Sequence, residues 1–185
     1  MKVDVRKGNP AAARGEALVV CHFEDSKKLA GAALQLDRAS KGLLAEVIKS
    51  GDFTGKLSQV SVVYTRGALP VRRVVLLGLG KRKEFDPEKL RRAFSKAARA
   101  IRDLGVDSFS IRLDPFGASP GLEDATEAAV EGALLGLYQF TRYKTADRDA
   151  AREIRGITLL APGDREARRM KAAAAAAGIV SGAVY

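Results

Sequence analysis

At 185 residues, with 46% hydrophobic and 29% charged side chains, the chain has the length and composition of one folded domain rather than of a disordered segment. No apolar run approaches the roughly 18–20 residues that a bilayer-spanning helix needs, so no membrane association is expected. The net charge is +10, and residues 65–112 hold 13 Lys/Arg against 5 Asp/Glu, so that +8 of the charge lies there. Such a field favours nucleic acid or another polyanion as a partner, although a solvated helix face with its flanking loops has the same composition.

The first half of the chain alternates predicted strands with one predicted helix. Residues 2–7 and 17–23 have strand patterns, and the second, ALVVCHF, is continuously apolar and therefore expected to be buried on both faces. Residues 40–50 predict a short helix. Residues 58–65 and 72–78 predict two more strands, joined as a hairpin by a turn.

The clearest helix is predicted over residues 86–105. Asp86 is placed to cap its first turn, Pro87 suits the first helical position and Gly105 can end it. One stripe of this helix is apolar and is expected to face the core, while most arginines lie on the other side. These arginines are the candidate polyanion-binding residues: Arg91, Arg92, Arg99 and Arg102. A fifth strand is predicted over residues 108–113.

A second long helix is predicted from about Pro120, with Ser119 as its cap, through the stretch EGALLGLYQFTRYKT at residues 131–145. Its carboxylates repeat every four residues and are expected to form one outward, solvated stripe: Glu123, Glu127 and Glu131. Its opposite stripe is small and apolar: Ala128, Gly132, Leu135 and Gly136. The two glycines, four residues apart, would let another backbone approach closely.

The C-terminal part begins with a last predicted strand over residues 153–160. Pro162 and Gly163 then break the chain, and residues 163–185 combine a run of charges with six consecutive alanines. This segment predicts a helix. The helix is expected to find little of this chain to pack against.

Two glycine-containing motifs adjoin predicted strands. GLGK, at residues 78–81, lacks the P-loop pattern because Val75 stands where its first glycine belongs and Arg82 where Ser or Thr belongs. It also lacks the third glycine of a dinucleotide-binding loop, and is interpreted as a strand exit. GDFTGK, at residues 51–56, is interpreted as a helix C-cap followed by a turn, with an anion-binding loop as the alternative.

The residue types do not assemble into a catalytic constellation. Cys21 and His22 are adjacent on a predicted strand, so their side chains point to opposite faces and cannot easily share a metal. His22 is the sole histidine, which excludes a Cys/His zinc cluster, and Cys21 is interpreted as a structural residue that suits a reducing cytoplasm. The sequence therefore predicts no catalytic and no metal-ligating residue.

Three segments in order resemble the N-terminal domain of the leucyl (cytosol) aminopeptidase family. They are LDRASKGLLAEVIKSGDFTGKLSQ at residues 36–59, RRVVLLGLGKRKEFDPEKLRRAF at residues 72–94 and EGALLGLYQFTRYK at residues 131–144. Together with their compatible gaps they extend the resemblance over nearly all of the chain. One departure, the pair Leu57-Ser58 after GDFTGK, is expected to affect only a turn.

The resemblance implies a fold and a parent activity. The fold would be α/β and macro-domain-like, a three-layer α/β/α arrangement with a mixed sheet over residues 1–162, followed by an alanine-rich linker helix over residues 163–185. In the family this helix leads to a catalytic domain that uses two divalent metals, zinc or manganese, to remove N-terminal residues, preferably leucine, from peptides. The family motifs that supply those functions, VGKG.TFD.GG and NTDAEGR, do not occur in this sequence. No catalytic residue, metal ligand or cofactor is therefore assigned to this chain.

The resemblance also implies partners and a place for them. These are the catalytic domain and a cytoplasmic homohexamer, with candidate interdomain or assembly contacts at Tyr138, Phe140, Tyr143 and Lys144. Leu135 and Phe140 are expected to pack inward. Two alternatives stay open: nucleic-acid binding through the basic region, and ADP-ribose binding of the kind known for macro domains. Against the second, the chain has only one asparagine, Asn9, and no glycine loop richer than GLG.

Overall fold

A computed structural model of the chain describes residues 1–116, 120–138 and 153–182. Its strands are β1 (Lys2–Lys7), β2 (Leu18–His22), β3 (Val60–Tyr64), β4 (Arg73–Gly78), β5 (Ser108–Arg112) and β6 (Gly156–Ala161). Its helices are α1 (Gly31–Ala39), α2 (Leu43–Lys49), α3 (Pro87–Asp103), α4 (Leu122–Leu137) and α5 (Asp164–Gly182). None of these helices is long and apolar enough to cross a membrane.

The six strands form one mixed sheet in the order β1-β6-β5-β2-β4-β3. Strand β3 runs antiparallel to β4, as the predicted hairpin requires, and the other neighbours are parallel. The apolar strand β2 lies in the interior of the sheet between β5 and β4, as its sequence predicts. The charged strand β1 and the uncharged strand β3 form the two edges.

Helices cover both faces of the sheet. Alternate residues of β2 contact different layers: Leu18 and Val20 pack with α1 and α2, whereas Val19 packs with α3, α4 and α5. The three-layer α/β/α arrangement with a mixed sheet is thus confirmed.

The capping prediction for α3 is confirmed. The Asp86 carboxylate accepts a hydrogen bond of 2.7 Å from the backbone N–H of Lys89, and Pro87 occupies the first helical position. For α4 the residue at the N-cap is Gly121, and Ser119 lies outside the described residues.

The predicted helix over residues 40–50 is confirmed, but the helix that precedes it was missed. Helix α2 falls within this region, whereas α1, which ends at Ala39 before it, was not predicted. Lys41 and Gly42 adopt positive φ angles of 58° and 95° and break the helical path between the two helices. The Asp37 carboxylate then accepts hydrogen bonds from the backbone N–H groups of Leu44 and Ala45 and so caps α2 from the preceding helix.

The expectation that the last helix finds little to pack against is wrong. Helix α5 lies against α4 and β1, and Met170, Ala174 and Ala177 on its inner side are buried in the main core. The small alanine side chains allow this close approach. Arg169 of α5 also bonds to Glu123 of α4.

Candidate functional site

The carboxyl ends of β2 and β5 meet at the point where the strand order reverses. After β2 the chain continues to β3 and β4, which lie on one side of β2 in the sheet. After β5 it continues to β6, which lies on the opposite side. In open α/β sheets, such a switch point is the usual place for a ligand. This edge of the sheet is therefore the first region to test for a site.

The chain's own charged groups fill one side of the switch point. Asp114, just after β5, accepts a hydrogen bond of 2.7 Å from the backbone N–H of Ala32 in the first turn of α1. Its other oxygen lies 3.6 Å from Nε of buried Arg112, whose Nη1 donates to the carbonyl oxygens of Gly8 and Leu160. A carboxylate therefore already occupies the helix N-terminus at which an anionic ligand would be stabilised.

An aromatic cluster fills the other side. Phe23, Phe85 and Phe116 follow β2, β4 and β5 along the chain, with ring centroids 5.1–6.1 Å apart. The Arg82 guanidinium lies 4.1 Å over the Phe23 ring and donates to the carbonyl oxygen of Phe116. These contacts argue against an ADP-ribose-type site at this edge.

Cys21 and His22 lie at the end of β2, on opposite faces as predicted. Burial raises the pKa of the Cys21 thiol above its ordinary value, and the nearby Asp114 carboxylate adds to the shift. A thiol held in its protonated form is a poor nucleophile and a poor metal ligand, which agrees with a structural role.

His22 is expected to make stability depend on pH. Burial lowers its pKa below the ordinary 6.5, and a hydrogen bond with the backbone of Ser26 opposes the shift only in part. Below pH 6.5 the unfolded chain therefore binds a proton that the folded chain does not, so the free energy of unfolding falls as the pH drops. Urea unfolding between pH 7.5 and 5 is expected to show this component in the wild type and not in His22→Gln. Parallel pH profiles for the two proteins would contradict it.

The described residues contain no group of three His, Cys, Asp or Glu side chains that could hold a metal ion. The donor chemistry of this part of the chain therefore does not fit the two-metal site that the resemblance implies for the parent enzyme.

A shallow groove of about 440 Å³ lies along the outward face of α3, beside α4 and the start of β3. It is lined by Ser58, Glu88, Arg91, Arg92, Ser95, Lys96, Arg99, Gly132 and Leu135. We call it the basic groove. Gly132, which lines this groove, lies so close to α3 that a Cβ atom on it would come 2.2 Å from the Arg91 carbonyl oxygen. The predicted close approach of a backbone to Gly132 and Gly136 is confirmed.

The four predicted polyanion-binding arginines do not share one environment. Arg91, Arg92 and Arg99 line the basic groove, whereas Arg102 does not and pairs with Asp103 at 2.9 Å. The positive charge of Arg91 is compensated by the Glu131 carboxylate, which lies 2.5 Å from its Nε. This bond stabilises the charged guanidinium and raises the pKa of Arg91. Sequence reasoning missed Lys96, although its spacing from Arg92 and Arg99 places all three along one helix face.

Two expectations for α4 are wrong. Glu131 is not part of an outward stripe: the residue is only 7% exposed and pairs with Arg91 of α3. Leu135 is not packed inward but is 46% exposed. Of the candidate assembly residues, Tyr138 ends α4 with 36% exposure, while Phe140, Tyr143 and Lys144 lie outside the described residues.

Comparison with known proteins decides the family. Residues 19–147 match the sequence model described as "Cytosol aminopeptidase family, N-terminal domain". The chain belongs to the cytosol aminopeptidase family. A curated relative of this family from Geobacter sp. (strain M21), named "Probable cytosol aminopeptidase", is 36% identical over 163 residues. That match covers 88% of this chain and 32% of the relative, so the chain spans about a third of the length of its relative.

Solved structures agree on the fold of this cytosol aminopeptidase domain. A mutant of tomato leucine aminopeptidase matches 97% of this chain and 37% of its own, with a TM-score of 0.73 and 19% identity. A Trypanosoma brucei macrodomain, solved with ADP, matches 93% of this chain and 68% of its own, with a TM-score of 0.67 and 16% identity. The fold is therefore macro-domain-like, as the resemblance implied.

Proposed function

We propose that this chain is the non-catalytic N-terminal domain of a cytosol aminopeptidase and acts in assembly of its oligomer. Residues 163–185 would lead from this domain, residues 1–162, toward a separate catalytic domain. The observation that carries the proposal is that the family match falls on the N-terminal domain and that the chain spans only 32% of its Geobacter relative. The lack of a metal-donor cluster in the described part of the chain supports assigning hydrolysis elsewhere.

The proposed parent enzyme releases N-terminal amino acids, preferably leucine, from peptides in the cytoplasm. Two divalent metals, zinc or manganese, held by the catalytic domain would polarise the scissile carbonyl and activate water. The residues of this chain would supply contacts between domains and between subunits of a homohexamer. The lone cysteine and the names of the relatives support the cytoplasmic assignment.

Exposed apolar side chains on the outer helices support the assembly role. Leu135 on α4, Tyr138 at its C-cap and Ile179 on α5 are 46%, 36% and 77% exposed, and the two helices pack against each other. A contiguous apolar patch is typical of a surface that a partner covers, and we propose that these side chains contribute to one in the assembled protein. We include Phe140, Tyr143 and Lys144, which follow α4, in the proposed contact region.

The proposal predicts that the chain is inactive alone and competent in a chimera. The purified chain is expected to release no nitroaniline from leucine p-nitroanilide with Zn²⁺ or Mn²⁺. Joined to the remaining two thirds of the Geobacter relative, it is expected to form an active particle of six subunits by light scattering.

A matched variant tests the contact region. The double variant Leu135→Asp/Ile179→Asp is expected to lower the particle mass that light scattering measures for the chimera. The circular dichroism of the isolated chain should stay unchanged. Metal-stimulated hydrolysis by the chain alone would overturn the non-catalytic assignment. An unchanged mass in the double variant would overturn the contact region.

A second candidate function is nucleic-acid binding, which the basic groove favours. Arg92, Lys96 and Arg99 are exposed and have no ion-pair partner among the described residues. Arg92 and Arg99 are seven residues apart, which is about 10 Å along a helix axis. Three cations in a row along one groove could contact successive phosphates of one strand.

The salt dependence of DNA binding tests this candidate. With three phosphate contacts, affinity is expected to fall about 40-fold between 50 and 200 mM salt. Arg92→Ala and Arg99→Ala should each reduce the slope of log K against log salt by about 1, whereas Arg102→Ala, outside the groove, should not. Fluorescence anisotropy with a labelled duplex measures both. Salt-independent binding, or equal slopes for all three variants, would exclude the groove as the DNA site.

A further inference from the structure

The two edges of the sheet are protected to different degrees. On β1, four of the six side chains are charged: Lys2, Asp4, Arg6 and Lys7. Strand β3 has the sequence VSVVY, with no charge and no proline. Charges and prolines on an edge strand hinder the addition of another strand, so β3 is the edge open to pairing.

The unpaired backbone groups of β3 can be assigned from its register with β4. Gly78 N–H donates to the Gln59 carbonyl oxygen and Thr65 N–H donates to the Arg72 carbonyl oxygen, so odd-numbered residues of this strand direct their backbone groups toward β4. Backbone groups alternate in an antiparallel ladder, and those of Val60, Val62 and Tyr64 therefore point away from the sheet. No described residue pairs with them.

The same three residues present one surface. Val60 and Val62 pack partly against the core under α3, and Tyr64 is 52% exposed. The guanidinium of Arg73, a residue of β4, lies 5.2 Å from the ring centroid of Tyr64 on the edge strand. Its Nε and Nη1 are buried without a hydrogen-bond acceptor, and the described residues offer it no ion-pair partner. Arg73 as a whole is half-buried, but two buried guanidinium nitrogens without an acceptor are costly, and a carboxylate would relieve that cost.

Charge decides between possible occupants of this edge. Helix α3, whose outward face carries Arg92, Lys96 and Arg99, contacts β3. A second copy of the chain pairing through β3 would bring two such positive faces together. An acidic segment would instead be attracted.

We propose that β3 is a docking edge for an extended acidic peptide segment, which adds to the sheet as a seventh strand. Antiparallel pairing places apolar side chains of the segment opposite Val60 and Val62, and a carboxylate opposite Tyr64. Neighbouring strands lie about 4.8 Å apart, so the guanidinium over Tyr64 lies between β4 and the added strand, within reach of that carboxylate. Main-chain hydrogen bonds supply affinity and the Arg73–carboxylate pair supplies selectivity. This inference does not depend on the proposed function.

The probe is an acetylated and amidated heptapeptide, Thr-Glu-Thr-Val-Thr-Val-Thr, labelled for fluorescence anisotropy and titrated with the whole 185-residue chain. Replacing its Glu by Gln is expected to weaken binding about fivefold, as loss of one partly buried charge-assisted contact predicts. N-methylation of its central Val, whose amide faces β3, is expected to weaken binding at least about tenfold. N-methylation of the Thr after that Val, whose amide faces away, is the matched control and should change binding little.

Protein variants test the same contacts from the other side. Val62→Pro removes only an outward N–H, which an edge strand tolerates, and should abolish binding, while Val62→Thr should retain it. Arg73→Glu should reverse the preference so that a Lys-containing heptapeptide binds better than the Glu-containing one. If Val62→Pro unfolds the chain by circular dichroism, the methylated peptides decide the question alone.

Three outcomes would overturn the proposal. One is no binding of the Glu heptapeptide at millimolar protein. Another is equal binding of the two N-methylated peptides. The third is self-association in sedimentation that Val62→Pro abolishes, which would assign the edge to a second copy.

Discussion

Gly132→Ala is expected to destabilise the domain by about 2 kcal/mol, although alanine is the better helix former by about 1 kcal/mol. The reason is the packing of α4 on α3. A Cβ atom at position 132 would lie 2.2 Å from the carbonyl oxygen and 2.8 Å from the carbonyl carbon of Arg91. These are backbone atoms inside a helix, so no side-chain rotation relieves the overlap, and the two helices must separate.

Separation of the helices has further costs at the same contact. A Cβ atom on Gly136 would meet the Ser95 carbonyl oxygen at 2.5 Å, so the two glycines set the spacing over a full turn. The Arg91–Glu131 ion pair, with Glu131 almost buried, joins the helices beside Gly132. Moving α4 outward would lengthen that bond and leave a carboxylate poorly solvated.

Gly178→Ala is the matched control. Gly178 lies in α5, and a Cβ atom there would have no neighbour within 4 Å. The substitution should therefore stabilise the domain by about 0.5–1 kcal/mol through helix propensity alone. Thermal unfolding should show a loss of about 4–8 °C for Gly132→Ala and a small gain for Gly178→Ala. Equal shifts at the two positions would mean that the α3–α4 spacing is not fixed by Gly132.

Features that depend on interactions between residues near in sequence were predicted better than features that depend on distant partners. The limits of α3 and the β3–β4 hairpin depend on caps, turns and periodicity within a few residues, and these were predicted well. The two-glycine pattern of α4 also indicated a close helix contact. It did not say which helix would approach, because α3 lies about 40 residues earlier in the chain.

The features that were missed depend on distant partners. Helix α1 has no side-chain cap of its own, since Ala30 stands at the N-cap and the carboxylate that serves its first turn is Asp114, 82 residues away. Glu131 fits an exposed stripe by spacing, and only the position of Arg91 explains its burial. The order of the strands, and hence the filled switch point, likewise depends on contacts that periodicity does not encode.

Gly78→Ala is expected to lower the free energy of unfolding by about 3 kcal/mol, because it would push the GDFTGK loop away from the end of β4, a contact that the sequence did not reveal. GLGK is a strand exit, as interpreted, and Gly51 ends the helical path just after Ser50, the C-cap of α2, at a φ of 86°. The loop after Gly51 then folds directly onto the end of β4. A Cβ atom on Gly78 would lie 2.0 Å from the Lys56 carbonyl oxygen and 2.7 Å from the carbonyl carbon of Gly55.

The GDFTGK loop and the end of β4 are joined by backbone hydrogen bonds that the displacement would strain. Ser58 N–H donates to the Gly78 carbonyl oxygen, and Gly80 N–H donates to the Gly55 carbonyl oxygen, each at 2.9 Å. The same loop also holds the fully buried Phe53 in the core beneath α1 and α2. Loss of this contact would therefore expose apolar surface as well as backbone groups.

Gly51→Ala separates steric overlap from backbone strain. Gly51 has a positive φ, but no atom lies within 4 Å of the place that a Cβ atom would take, so alanine there should cost only about 1–2 kcal/mol for the left-handed conformation. Gly78 has no such φ, so its larger cost would come from the overlap alone. The free energy of unfolding measured in urea should be highest for the wild type, lower for Gly51→Ala and lowest for Gly78→Ala. Faster hydrogen exchange at the Ser58 and Gly80 amides should appear only in Gly78→Ala, because only that substitution forces the GDFTGK loop away from β4.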